Sequence, residues 1–128
     1  MATNKQPRAP TDLIGALGIS PTAIHEQMGR ILNSPEFTAS ETQRAFLEYV
    51  VEKTLAGQTE AIKGYTVATQ VFGRGDDFDQ ARDPIVSIQA NKLRRALERY
   101  YLVAGQNDPI RIDIPKGTYV PEFSARVD

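Results

Sequence analysis

The chain contains no cysteine, which removes disulfides, thiolate metal sites and cysteine nucleophiles at once. Its single histidine is His25, so an imidazole zinc site has no companion ligand, and His25 reads as a surface or satisfied side chain. No apolar run approaches the roughly 20 residues that a membrane-crossing helix needs. The first residues lack the charged start and apolar stretch of a secretory signal. The expectation is a cytoplasmic protein with no membrane partner. Net positive charge is missing as well: 15 Lys and Arg stand against 16 Asp and Glu. Bulk attraction for nucleic acid is therefore weak, and any such binding has to come from one local patch.

What is present fits one domain: 128 residues, 41% hydrophobic and 24% charged. The charge is unevenly spread. Residues 84–117 hold six basic and three acidic side chains, while the remainder holds nine basic and thirteen acidic. Residues 1–21 are expected to be a flexible N-terminal arm and 22–128 a single domain. The arm carries Leu13, Ile14, Leu17 and Ile19 close together, an apolar cluster that must dock on its own domain or on a partner.

Periodicity supplies the elements. Ile24, Met28, Ile31 and Leu32 fall on one helical face, and Asn33-Ser34-Pro35 ends that helix. Ser40 with Gln43 forms a capping-box start, Phe46 to Leu55 gives a broad apolar stripe, and Gly57 closes it. "YTVATQVFG" suits a strand by its β-branched residues or a short helix by Val67, Val71 and Phe72. Asp83-Pro84 reads as an N-cap with Pro at the first helical position, opening a helix to Ala104. "IRIDI" alternates, Pro115-Lys116-Gly117 turns the chain, and Tyr119-Val120 starts a return strand.

The long helix gathers Lys92, Arg94, Arg95 and Arg99 within eight positions. A helical wheel puts Val86, Ala90, Leu93, Leu97, Tyr100 and Ala104 on the core side. An ordinary solvated face is one account of the cations. Against it, only Glu98 offers an acidic partner within the helix. Ser87, Gln89 and Asn91, side chains able to read base edges, sit among the cations. Ile88 faces outward with no core reason to be there, and fits a thymine methyl.

"VFGRGDDFD", "DPIVSIQANKLRRALERYY" and "IRIDIPKGTYVPEF" together resemble the C-terminal output domains of bacterial response regulators. More closely, Glu36 to Phe123 resembles the winged-helix module that heads many bacterial adenylate cyclase, TolB-like and tetratricopeptide proteins. The resemblance implies an α+β winged helix-turn-helix with extra N-terminal helices and a C-terminal β-hairpin wing. It also implies that "TVATQVF" is a helix. Matched residue by residue, base-facing positions fall on Ile85, Ile88, Gln89 and Lys92, and phosphate-facing ones on Arg94 and Arg95. The wing turn falls on Lys116, Gly117 and Thr118. Two departures stand out. Thr118-Tyr119-Val120-Pro121 replaces the usual Gly-Tyr-Arg ending of the wing, and the loop 73–83 carries Asp76, Asp77 and Asp79. That loop is the expected contact for RNA polymerase or another regulator.

Other chemistry finds no footing. The series from Asp77 lacks the Gly and Glu of a calcium loop, and Gly73-Arg74-Gly75 lacks the lysine of a phosphate-binding loop. The expectation is a non-enzymatic transcriptional regulator without cofactor or metal, a homodimer that binds duplex DNA specifically through residues 85–99 and 116–118. The alternative is a winged-helix adaptor between proteins.

Overall fold

The computed structural model describes residues 18–126; the apolar cluster Leu13, Ile14 and Leu17 lies outside them. Among the described residues there are four α-helices: α1 Pro21–Leu32, α2 Glu41–Leu55, α3 Gly64–Gln70 and α4 Ile85–Val103. A 3-10 turn at Thr59–Ala61 links α2 to α3. Strands β1 Ile110–Asp113 and β2 Glu122–Ala125 pair antiparallel at the C-terminal end, making the fold α+β.

Each boundary has a local cause. Ser20 Oγ accepts from the Ala23 N–H at 3.0 Å and Pro21 sits in the first turn, so α1 starts there. Ile19, just before it, is only 4% exposed. Ile19 thus joins the buried core three residues before the expected boundary at 22. α2 has the expected capping box. Gly57 at φ 73° lets Gln58 N–H reach the Lys53 carbonyl at 2.8 Å and Gly57 N–H reach Thr54 at 3.0 Å, a Schellman close.

The ambiguous segment is helical. Gly64, Val67 and Ala68 are buried with Val71 half-buried, an i, i+3, i+4, i+7 stripe that a strand would split between two faces. α4 begins at Ile85, one residue later than expected, with the Asp83 carboxylate accepting from the Ile85 N–H at 3.2 Å. Its buried face is wider than the wheel placed it, taking in Ala96 and Tyr101. Ala104 is exposed rather than in the core, because the helix ends at Val103 and the chain turns at Gly105. A side chain on Gly105 would collide with the Tyr100 ring.

The hairpin is longer in its loop than the sequence suggested. Ile112 pairs with Phe123 and Asp113 with Glu122, so the return strand starts at Glu122, not Tyr119. Residues 114–121 form the connection. Gly117 at φ 90° makes its turn, and buried Ile114 and Pro121 tack it to the core. Tyr119 stands 6.0 Å from the Phe46 ring, which itself meets Phe72 edge-on at 5.4 Å.

A polar network ties α1, α4 and β1. Gln27, fully buried, donates to Asp108 at 2.8 Å and to the Tyr101 hydroxyl at 3.3 Å. Tyr101 Oη donates to the Ile110 carbonyl at 2.9 Å and accepts from the Ile112 N–H at 2.8 Å. Tyr100 donates to Asp108. Burial pushes the Tyr101 phenol up to about 12, and burial followed by Asp108 raises Tyr100 too. Tyr101→Phe would orphan two buried backbone groups, at a cost of about 1–3 kcal/mol. A thermal melt should show a drop of roughly 3–5 °C per kcal/mol. An unchanged melt would mean that water replaces the hydroxyl.

Candidate nucleic-acid interface

Because α4 buries one stripe, the positions between its edges face outward: Ile88, Asn91, Lys92, Arg95, Glu98 and Arg99 are exposed. Ile88 is 45% exposed, an apolar side chain that the core does not claim. Lys92 and Arg95 make no ion pair among the described residues. Ser87 is half-buried and shares a hollow with Asn91 and Arg94. Ile85 is also half-buried and packs against the core, which leaves only part of it to face a ligand.

Of the hollows that flank this face, two gather most of its cations. One, of about 590 Å³, lies between α4 and the hairpin and gathers Arg94, Arg95, Arg111 and Lys116 with Glu98 and Asp113. The other, of about 460 Å³, lies between α4 and the start of α2, where Lys92, Arg95 and Arg99 face Thr38 and Ser40. Arg95 lines both. A ridge with cations on both slopes matches a curved polyanion better than a small ligand, which needs an enclosed apolar cavity.

Arg94 has a different job from the expected phosphate contact. Its Nε donates to the Ile114 carbonyl at 2.9 Å, and Nη2 donates to Pro115 at 3.1 Å and Thr118 at 2.8 Å. Nη1 donates to Asn91 Oδ1 at 2.7 Å. Four of the five donors of its planar fork engage the hairpin loop and Asn91, which ties Arg94 into the fold. Asn91 is thereby turned with its oxygen toward Arg94 and its amide nitrogen outward. Gln89 accepts from Gln43 Nε2 at 2.7 Å. Arg99 pairs with Glu36 at 3.3 Å, an exposed pair of small energy that a phosphate can displace.

On the hairpin, Lys116 and Gly117 are exposed at the turn. Thr118 accepts from the Val120 N–H at 3.1 Å through its hydroxyl. The acidic loop is tied down on both sides. Arg74 donates to Asp83 at 2.7 Å, a bond that holds the Asp83 carboxyl below its ordinary range. Gln80 lies against Gly64, where a Cβ would collide with its amide, and donates to Tyr119 at 3.2 Å. Asp76, Asp77 and Asp79 remain exposed.

Three residues were missed by sequence reasoning. Arg111 lines the hairpin hollow with its guanidinium 4.8 Å from the Tyr101 ring. Strand alternation had already set it opposite the isoleucines, which was the available signal. Thr38 and Ser40 line the second hollow, and only the packing of α2 on α4 puts them there.

His25 stands 2.9 Å from Glu52 on the surface, as an ordinary satisfied histidine. No group of three or more metal-ligating side chains comes together among the described residues. No described helix is long and apolar enough to cross a membrane. Compared with protein-family models, with curated proteins and with solved structures, the chain gives no match.

Proposed function

We propose that this chain is a winged helix-turn-helix protein that binds duplex DNA sequence-specifically and regulates transcription in a bacterial cytoplasm. In this reading α4 is the recognition helix and the hairpin is the wing. The observation that carries it is the outer face of α4, where exposed Ile88, Asn91, Lys92 and Arg95 run along the ridge between two cation-lined hollows. Nineteen helical residues give about 28 Å of rod, and the B-DNA major groove, about 12 Å wide, admits such a helix. Arg95 and Lys116 would meet phosphates, while Ile88, Gln89, Asn91 and Lys92 would face base edges. A single module of this kind buries a modest interface, which favours a homodimer on paired half-sites.

The test is a mobility-shift titration on the chain's own upstream region, with and without unrelated competitor duplex. A band that survives competitor supports the reading, and equal competition by any DNA removes it. Lys116→Ala should lower affinity alike on preferred and scrambled duplexes, and reduce the log–log salt slope by about 0.9. Wild-type affinity on both would make the hairpin structural only.

One set of observations favours a second reading, an adaptor between proteins. Asp76, Asp77 and Asp79 are exposed on a loop held in place by Arg74 and Gln80. The end of the hairpin loop carries Val120 rather than a cation. A basic patch on RNA polymerase or on another regulator would suit that loop. Both surfaces can operate in one molecule.

A further inference from the structure

A glutamine amide has two faces: its oxygen accepts and its nitrogen donates, and a half-turn exchanges them. Which face Gln89 offers outward is settled two residues away from it in a chain of hydrogen bonds. The chain starts at the Ser40 backbone N–H, which can only donate. Gln43 Oε1 accepts from it at 3.0 Å, completing the capping box. That leaves Gln43 Nε2 pointing the other way, where it donates to Gln89 Oε1 at 2.7 Å. Gln89 Oε1 is therefore turned inward and Nε2 outward. Gln43 is 8% exposed, so water does not readily replace it. Among the described residues, no buried side-chain nitrogen or oxygen lacks a partner, and Gln89 Nε2 has no protein partner, so Nε2 is open to solvent.

We propose that Gln43 is a positioning residue that fixes Gln89 as a hydrogen-bond donor, and so sets which base it prefers. The proposal rests on the duplex-binding reading above. A donor aimed at the exocyclic group suits guanine O6 and thymine O4 and opposes the amino groups of cytosine N4 and adenine N6, while the N7 acceptor that both purines carry does not tell them apart. The helix cap and the base preference thus share one side chain.

Gln43→Glu isolates the effect. The carboxylate still accepts from Ser40 N–H, as Glu does in ordinary capping boxes, so α2 keeps its start. It cannot donate to Gln89, whose amide must flip to give its nitrogen to Glu and turn its oxygen outward. Selection from a random duplex pool, run with the wild type, Gln43→Glu and Gln89→Ala, reads the outcome.

The wild type should enrich one position for guanine or thymine, and Gln89→Ala should lose preference there alone. Gln43→Glu should move that position to adenine or cytosine, with a change in base ratio of about tenfold or more. The added negative charge lowers affinity for all sequences alike, which leaves base ratios untouched. In the free protein, one Gln89 side-chain amide proton should shift downfield in the Gln43→Glu nitrogen–proton spectrum, while the thermal melt stays close to wild type. If Gln43→Glu keeps the wild-type base at every position, the proposal fails and duplex binding stands. If the wild type enriches nothing, the duplex reading fails and takes the proposal with it.

Discussion

Replacing Lys92 and Arg95 together by glutamate is expected to abolish duplex binding while moving the melting temperature by no more than about 2 °C. Both side chains are exposed and neither enters an ion pair among the described residues, so the fold loses nothing specific. The outer face of α4 loses two cations and gains two anions on a ridge between the hollows. A loss on the order of a hundredfold or more in affinity at low salt follows, shrinking as salt screens it. The single changes should separate the roles. Lys92→Ala should cost about 1–3 kcal/mol on the preferred duplex only, as loss of a base contact would. Arg95→Ala should weaken every duplex and reduce the salt slope by about 0.9. If the double variant melts as early as it stops binding, the two cations belong to the fold and the interface lies elsewhere.

Arg94→Ala should behave in the opposite way, harming stability first. The guanidinium satisfies the carbonyls of Ile114, Pro115 and Thr118 together, and charge-assisted bonds of this type each contribute about 1.5–3 kcal/mol. Part of the site is open to water, which recovers some of that loss, so the expected destabilisation is about 2–3 kcal/mol. The melt should fall by roughly 5–10 °C, with binding reduced through a loosened hairpin. Arg94→Lys should rescue little, since one ammonium cannot reproduce the planar fork across three acceptors. A double variant reversing Arg94 and Arg95 is therefore a poor probe of DNA contact. Full stability in Arg94→Ala would show that the loop holds itself.

The elements were legible where one periodic face or one cap decided them. α1, α2 and α4 follow from apolar stripes and α2 also from its Ser40-Gln43 capping box, while the N-cap of α4 is Pro84 and not the expected Asp83. The segment around Val67 was not legible from residues alone, because seven helical residues are too few for period to beat β-branching. The return strand was misplaced for a related reason. Tyr119 and Val120 have strand chemistry, but Arg94 holds the carbonyl of Thr118 at 2.8 Å and Pro121 cannot donate to a ladder, so pairing waits for Glu122. At the interface, outward positions of α4 could be read from the wheel, and Ile88, Lys92 and Arg95 are exposed as expected. What the side chains there are bonded to could not. Arg94 to the hairpin, Gln89 to Gln43 and Arg99 to Glu36 are all partnerships between distant segments. An arginine committed to loop carbonyls looks the same in sequence as one waiting for phosphate. Arg44 is another such case, donating to the carbonyls of Leu32, Phe37 and Ala39 and so setting the connection between α1 and α2.

The Gln27 network has a consequence for the order in which the molecule assembles. Its bonds join residues 74 and 81 positions apart, so α1 leaves the ribosome long before Tyr101 and Asp108 exist. Until then Gln27 has only water and Arg30 for company, and the apolar stripe of Ile24, Met28 and Ile31 lacks β1 to cover it. Closing so long a loop adds little to the equilibrium cost, since the entropy grows only with the logarithm of length. It does slow the search, as distant contacts do in general. Among the described helices α1 is made before the other three and completed only after the last of them, and through the intervening time its apolar stripe stands open to wrong partners.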